Sequence, residues 1–123
     1  MIGVLLAVAG GFGALARYEL GGWVQRRLSS PHPWGTLVVN TVGCLLLGFV
    51  HTSGIGGPET SRVLVAGFLG GFTTYSTWMF ETTSLGEQGG RGALRAAARN
   101  LASMMGGGLL GIAAGVSLAE WIT

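Results

Sequence analysis

Between Gly67 and Phe80 the chain reads GFLGGFTTYSTWMF, an uncharged run in which Gly70 and Gly71 precede five hydroxyl-bearing residues, Thr73 to Thr77. Glycine weakens a helix, and hydroxyls are poor filler for hydrocarbon. A helix broken at Gly70–Thr74 would leave carbonyls unpaired at the end of its first half and amides unpaired at the start of its second. Carbonyls at a helix C-terminus attract cations, and amides at an N-terminus attract anions. Downstream, the hydroxyls of Thr74, Ser76 and Thr77 and the rings of Tyr75 and Trp78 add hydrogen-bond donors and electropositive ring edges, which suit an anion. The competing reading is a glycine-softened helix whose Ser and Thr side chains bond back to its own carbonyls. The density of polar groups in one apolar run favours an ion site.

Asn40 is the other polar residue at depth, near the middle of WGTLVVNTVGCLLLGF (Trp34–Phe49), with Thr36 one turn earlier and Thr41 beside it. An amide side chain in hydrocarbon needs partners, so it faces other helices or a polar path. Taken alone, Asn40 fits interhelical adhesion and a pathway equally well.

The elements that carry these residues follow from composition. The chain has 123 residues, 49% hydrophobic and only 10% charged, with no lysine or aspartate; soluble domains carry about 25% charged residues. No charge falls between Met1 and Ala16, Leu28 and Pro58, Val63 and Phe80, or Asn100 and Ala119, and each gap is at least 16 residues long. A membrane helix needs about 20 mostly apolar residues. The pattern therefore predicts an all-α integral membrane protein of one domain, with four transmembrane helices over about 2–25, 34–51, 62–84 and 93–119. The third is broken at its centre. The breaks between helices lie in QRRLSSPHP (Gln25–Pro33), TSGIGGPETS (Thr52–Ser61, with Ser61 as an N-cap) and SLGEQGGRG (Ser84–Gly92). A cleaved leader is disfavoured because no positive stretch precedes the first apolar segment. The lone Cys44 excludes a disulfide framework or cysteine metal cluster.

Small residues are spaced for close packing: Gly67 and Gly71 in the third helix, and Gly107, Gly111 and Gly115 in the last. GGFGALAR contains Gly11-x-Gly13-x-x-Ala16, which matches a dinucleotide fingerprint, but no acid lies about 20 residues on and no βαβ pattern surrounds it. Those glycines serve helix packing instead.

GFLGGFTTYSTWMFET resembles the third-helix signature of the Fluc/CrcB fluoride channel family. GGFGALARY (Gly10–Tyr18) and GTLVVNTVGCLLLGF (Gly35–Phe49) resemble that family's first and second helices. The resemblance covers nearly the whole chain and is loosest in the last helix. It implies an antiparallel dimer of four-helix subunits in the cell membrane, with two narrow fluoride pathways. It further implies a structural Na⁺ at the dimer centre, held by the backbone carbonyls of Gly70 and Thr73. Asn40 would be the pore amide and Arg17 the cation at the end of helix one, with Thr36, Ser76 and Thr77 along the path. Tyr75 and Trp78 stand where the family has two pore phenylalanines, a departure that adds a hydroxyl at one position and bulk at the other. Ser103 is the nearest candidate for the family's last-helix serine.

The chemistry agrees with that implication. Fluoride is small and tightly hydrated, so a selective pore must replace its water with donors, whereas a cation pore would use acidic rings. Two other functions compete. A proton-coupled four-helix exporter needs a carboxylate in the membrane, for which only Glu19 and Glu81 come close, both near helix ends. A non-conducting subunit of a membrane complex would use the polar third helix only as adhesive. An enzyme is not expected, because no catalytic pair lies at membrane depth.

Arginine placement bears on assembly. Arg26, Arg27, Arg91, Arg95 and Arg99 lie at one end of the predicted bundle and only Arg62 at the other. The positive-inside rule places the five in the cytoplasm and both termini outside. A dual-topology homodimer would show balanced counts, so the second antiparallel subunit is expected to be a different chain with the opposite bias, as the family's paired-gene members imply.

Overall fold

The computed structural model describes residues 1–123, and every regular element in it is helical. In chain order these are α1 (Ile2–Leu28), α2 (Trp34–Ser53), α3 (Gly57–Arg62), a π-helical stretch Val63–Leu69, α4 (Gly70–Phe72), α5 (Ser76–Glu87) and α6 (Gly90–Ile122). α3 through α5 form one span, so four helices are long and apolar enough to cross a membrane. Only 18 of the 123 residues are buried, and Val4, Val8, Phe12 and Leu15 on α1 and Leu109 and Leu110 on α6 are each more than half exposed. That much apolar surface suits lipid or another helix, not water.

The helices run further than the charge pattern places them. α1 continues to Leu28, where Ser29 closes it in the left-handed region (φ 42°) and donates its N–H to the Gln25 carbonyl. The third span begins at Gly57 instead of residue 62. Gly56 and Gly57, at φ 75° and 78°, complete the turn, and Pro58 sits where a missing N–H is harmless. Ser61 therefore lies inside α3 and does not cap it. Ser84–Glu87, read from sequence as loop, forms the last turn of α5, leaving Gln88 and Gly89 between α5 and α6.

Glycine sets the packing. A Cβ at Gly71 would overlap the Gly10 carbonyl, and one at Gly13 would overlap the Phe68 carbonyl, so the first span and the third touch backbone to backbone. The GGFG segment is thus a helix-packing surface. On the opposite side a Cβ at Gly111 would stand 2.6 Å from the Thr41 carbonyl, and one at Gly115 would overlap the Leu45 carbonyl. The predicted glycine ladder is the seam between α6 and α2. Membrane helices associate through such contacts because lipid offers no hydrophobic drive between them.

Candidate functional site

α4 and α5 are joined by Thr73, Thr74 and Tyr75, and Thr73 is extended (φ −83°, ψ 159°). The Thr73 N–H still donates to the Leu69 carbonyl at 2.9 Å, as does its hydroxyl at 2.9 Å. The next residue turns away. Thr74 N–H donates to Asn40 Oδ1 at 2.9 Å, and Asn40 Nδ2 donates back to the Thr74 carbonyl at 2.9 Å. In an uninterrupted helix the Thr74 N–H would go to the Gly70 carbonyl, so that oxygen is left without its helical donor. One side chain on α2 replaces two main-chain bonds, as backbone at membrane depth requires.

Thr74 also organises the start of α5. Its Oγ1 accepts the Thr77 N–H at 3.2 Å and donates to Thr77 Oγ1 at 3.0 Å, satisfying one of the orphan donors of the new helix end. Ser76 reaches the same oxygen only at 3.4 Å and is exposed. From α1, Arg17 Nη1 donates to the Thr73 carbonyl at 3.2 Å, so the interruption is clasped from both sides.

Two separate cavities lie against this interruption, and Thr74 lines both. The first, about 380 Å³, is lined by Asn40, Gly70, Thr73, Tyr75, Trp78 and Met104, among others. Tyr75 and Trp78 pack edge to face, their rings 5.7 Å apart at 88°. The second, about 640 Å³, is bordered by Arg17, Gln25, Thr36, Thr77 and Glu81, among others, and lies between α1, α2 and α5. Within it the Thr36 hydroxyl donates to Glu81 Oε1 at 2.6 Å. The structure therefore brings Asn40, Tyr75, Trp78, Gly70 and Thr73 to one cavity and Arg17, Thr36 and Thr77 to the other. Ser76 lines neither.

Four residues escaped the sequence reading. Glu81 looks interfacial from its place near the end of a charge-free run, yet it is half-buried in the second cavity and its Oε2 has no partner. Met104, not Ser103, meets Asn40: Asn40 Nδ2 contacts Met104 Sδ at 3.4 Å, whereas the Ser103 hydroxyl donates to the Asn100 carbonyl of its own helix. Asn100 is fully buried and donates to Thr82 Oγ1 at 2.9 Å, and Thr82 donates to the Trp78 carbonyl at 2.8 Å, tying α5 to α6. Gln25 binds the α1–α2 connection, donating to the Ser30 and His32 carbonyls and accepting the Gly35 N–H. In that connection burial, and secondarily the nearby Arg99 charge, hold the His32 imidazole below its ordinary pKa. Of the four, Gln25 lies in the polar stretch QRRLSSPHP and Asn100 at the edge of a charge-free run, and neither position announces its partner. Met104 carried no signal, because a thioether at helical spacing reads as core.

Comparison with known proteins gives a consistent result. The family described as "CrcB-like protein, Camphor Resistance (CrcB)" matches residues 4–116. The chain is similar to "Fluoride-specific ion channel FluC 1" of Rubrobacter xylanophilus, 40% identical over 117 residues that cover 95% of this chain and 92% of the relative. It is 45% identical over 120 residues to "Fluoride-specific ion channel FluC 1" of Symbiobacterium thermophilum, with 94% of each chain covered. It is 47% identical over 96 residues to "Fluoride-specific ion channel FluC" of Nitratidesulfovibrio vulgaris, covering 70% of this chain and 73% of the relative.

Proposed function

The chain belongs to the CrcB-like family, and from that premise we propose that it is a fluoride-selective ion channel of the cell membrane, a multi-pass protein that lowers cytoplasmic fluoride by letting the anion leave. It transports and does not catalyse. The observation that carries this reading is the span interrupted at Thr73–Tyr75, its Thr74 main chain held by Asn40 and its Thr74 side lining two cavities. No carboxylate lines the first cavity, and its polar residues Asn40, Thr73, Thr74, Tyr75 and Trp78 all carry N–H or O–H donors, the chemistry a strongly hydrated anion requires. Arg17 contributes positive charge beside the second. Expression in bacteria made fluoride-sensitive by loss of their own exporter tests the proposal: growth in fluoride should be restored, and unchanged sensitivity would count against it.

We propose that the third helix is functionally broken, its free main-chain groups forming part of an antiparallel dimer interface. The Gly70 carbonyl supports that reading, because its helical donor is taken by Asn40 and Gly70 is exposed on the isolated chain. Gly70 and Thr73 of two such chains would supply four carbonyl oxygens, a donor set that fits a hard cation such as Na⁺. Thr73 would share its oxygen with Arg17, since a carbonyl has two lone pairs. The ion would hold the two chains together and takes no part in permeation.

The second subunit is proposed to be a different chain. α6 has 33 residues, about 50 Å at about 1.5 Å per residue, against a hydrocarbon core of about 30 Å. Its charge-free stretch from Asn100 to Ala119 fills that core, so Arg91, Arg95 and Arg99, all exposed, fall in the overhang with Arg26 and Arg27. That leaves the bias of five arginines to one intact and supports a single orientation with both termini outside. An antiparallel partner then needs its arginines at the opposite ends.

A proton-coupled exporter has one observation in its favour, the unpartnered Glu81 Oε2 in the second cavity. Transport that tracks the proton gradient and is lost in Glu81→Gln would select it over the channel.

A further inference from the structure

Five arginines stand at one end of the molecule with little to answer them. Of the chain's arginines only Arg17 donates a side-chain hydrogen bond within it. Arg26 and Arg27 lie in the last turn of α1, where the Arg27 guanidinium sits over the Trp23 ring, 5.6 Å from its centre. Arg91, Arg95 and Arg99 lie in the first turns of α6, are exposed, and have no acid in the opening turn beside them. Cations at the start of a helix meet the positive end of its dipole, so the row is electrostatically unfavourable by itself. The acid nearest in sequence, Glu87, ends α5 and is exposed.

The row has a defined depth. With the charge-free run Asn100–Ala119 set across the hydrocarbon, a rise of about 1.5 Å per residue puts Arg99, Arg95 and Arg91 about 2, 8 and 14 Å beyond it. The headgroup layer is about 5 to 8 Å deep on each side. Arg99 and Arg95 therefore fall at headgroup depth, and Arg91 lies past it. Beneath them the same face is apolar. Arg95, Ala102 and Leu109 repeat every seven residues and Leu110 is eleven past Arg99, all of them exposed. Trp23, half exposed under Arg27, marks the same interface on α1.

Independently of the channel reading, we propose that Arg95 and Arg99 form a headgroup site for an anionic phospholipid, whose acyl chains lie along Ala102, Leu109 and Leu110. Residues four apart on a helix stand about 5–6 Å apart at Cβ, so the two guanidiniums can clasp one phosphate. Guanidinium presents paired donors that match phosphate oxygens. The phosphate of a zwitterionic lipid carries its own ammonium, which two arginines repel, so an uncompensated phosphodiester is the better fit. The bound lipid supplies the negative charge that the start of α6 lacks and holds this end of the helix to its leaflet.

Native mass spectrometry of the full chain released from detergent tests this, with bound lipid counted during titration with phosphatidylglycerol, with phosphatidylcholine of the same acyl chains, and with inorganic phosphate. Phosphatidylglycerol should bind about tenfold or more tighter than phosphatidylcholine. The double variant Arg95→Gln, Arg99→Gln should bind it about thirtyfold more weakly, at about fivefold for each arginine near an anionic surface. Arg91→Gln, beyond headgroup depth, should change binding by less than about twofold. Equal binding of the two lipids overturns the proposal, and that comparison uses only the unaltered chain, so it holds whether or not the variants fold. Undiminished binding in the double variant also overturns it. An equal loss in Arg91→Gln would show a diffuse basic surface and no site, and displacement of the lipid by inorganic phosphate at matching concentration would show an anion site and no lipid site.

Discussion

Replacing Asn40 by leucine removes one side chain of α2 but unmakes the joint of the third span. Two bonds are lost directly, Thr74 N–H to Oδ1 and Nδ2 to the Thr74 carbonyl, both at 2.9 Å. Hydrogen bonds between membrane helices average about 0.6 kcal/mol and reach about 1.7, so the pair is worth roughly 1 to 3.5 kcal/mol. The freed Thr74 N–H has another acceptor available, the Gly70 carbonyl four residues back, and taking it would restore a continuous helix. Asn40→Leu should therefore straighten the span and move the main chain at Thr74, which lines both cavities. If that free energy is what holds the open arrangement, fluoride flux should fall roughly tenfold to a few hundredfold. The assay is fluoride-electrode efflux from proteoliposomes, with chromatographic elution of the variant checked against the parent to show that assembly survives. A variant that elutes normally and conducts at the parental rate would refute the reasoning and reduce Asn40 to adhesive.

Other perturbations separate the elements of the account. A Cβ at Gly70 would meet only the Val65 carbonyl at 3.8 Å, whereas one at Gly71 would overlap the Gly10 carbonyl. Gly70→Val should accordingly leave the chain folded but abolish the dimer, while Gly71→Val should lower the stability of the chain itself; thermal unfolding and size-exclusion chromatography distinguish the two. The His32 imidazole sits below its ordinary pKa of about 6.5 because of burial and Arg99. The unfolded chain therefore binds the proton more readily, so stability is full above about pH 6.5 and falls as the pH drops toward the depressed value. His32→Gln should flatten that decline in a thermal-melt series from pH 7.5 to pH 5. Reporter fusions at the C-terminus should give signal from an external reporter and none from a cytoplasmic one; comparable signals would mean dual topology and a self-sufficient homodimer.

The four spans could be read in the sequence because arginine and glutamate punctuate them, and the Gly107–Gly111–Gly115 ladder because its four-residue period is a surface property of one helix. What joins helices was harder to read. Asn40 is conspicuous by polarity and the Gly70–Thr74 run announces a break, but no pattern in the sequence pairs the Asn40 amide with the Thr74 main chain. Glu81 is near the end of its charge-free run and so reads as peripheral, whereas the cavity beside α1 reaches it. Ser103 is the nearest match to the family's last-helix serine, yet its hydroxyl donates to the Asn100 carbonyl of its own helix. The predicted helix ends fall short because terminal polar residues look like loop, whereas α6 runs from Gly90 and takes in Arg91.

The central claim is conduction of fluoride in preference to other anions. The most direct measurement is efflux from liposomes loaded with equal potassium fluoride and chloride, containing this chain alone and, separately, this chain with a relative whose arginines lie at the opposite ends of its helices. Fluoride should leave rapidly in the second preparation while chloride stays inside. Liposomes that retain fluoride in both preparations, or release chloride as fast as fluoride, would contradict the account.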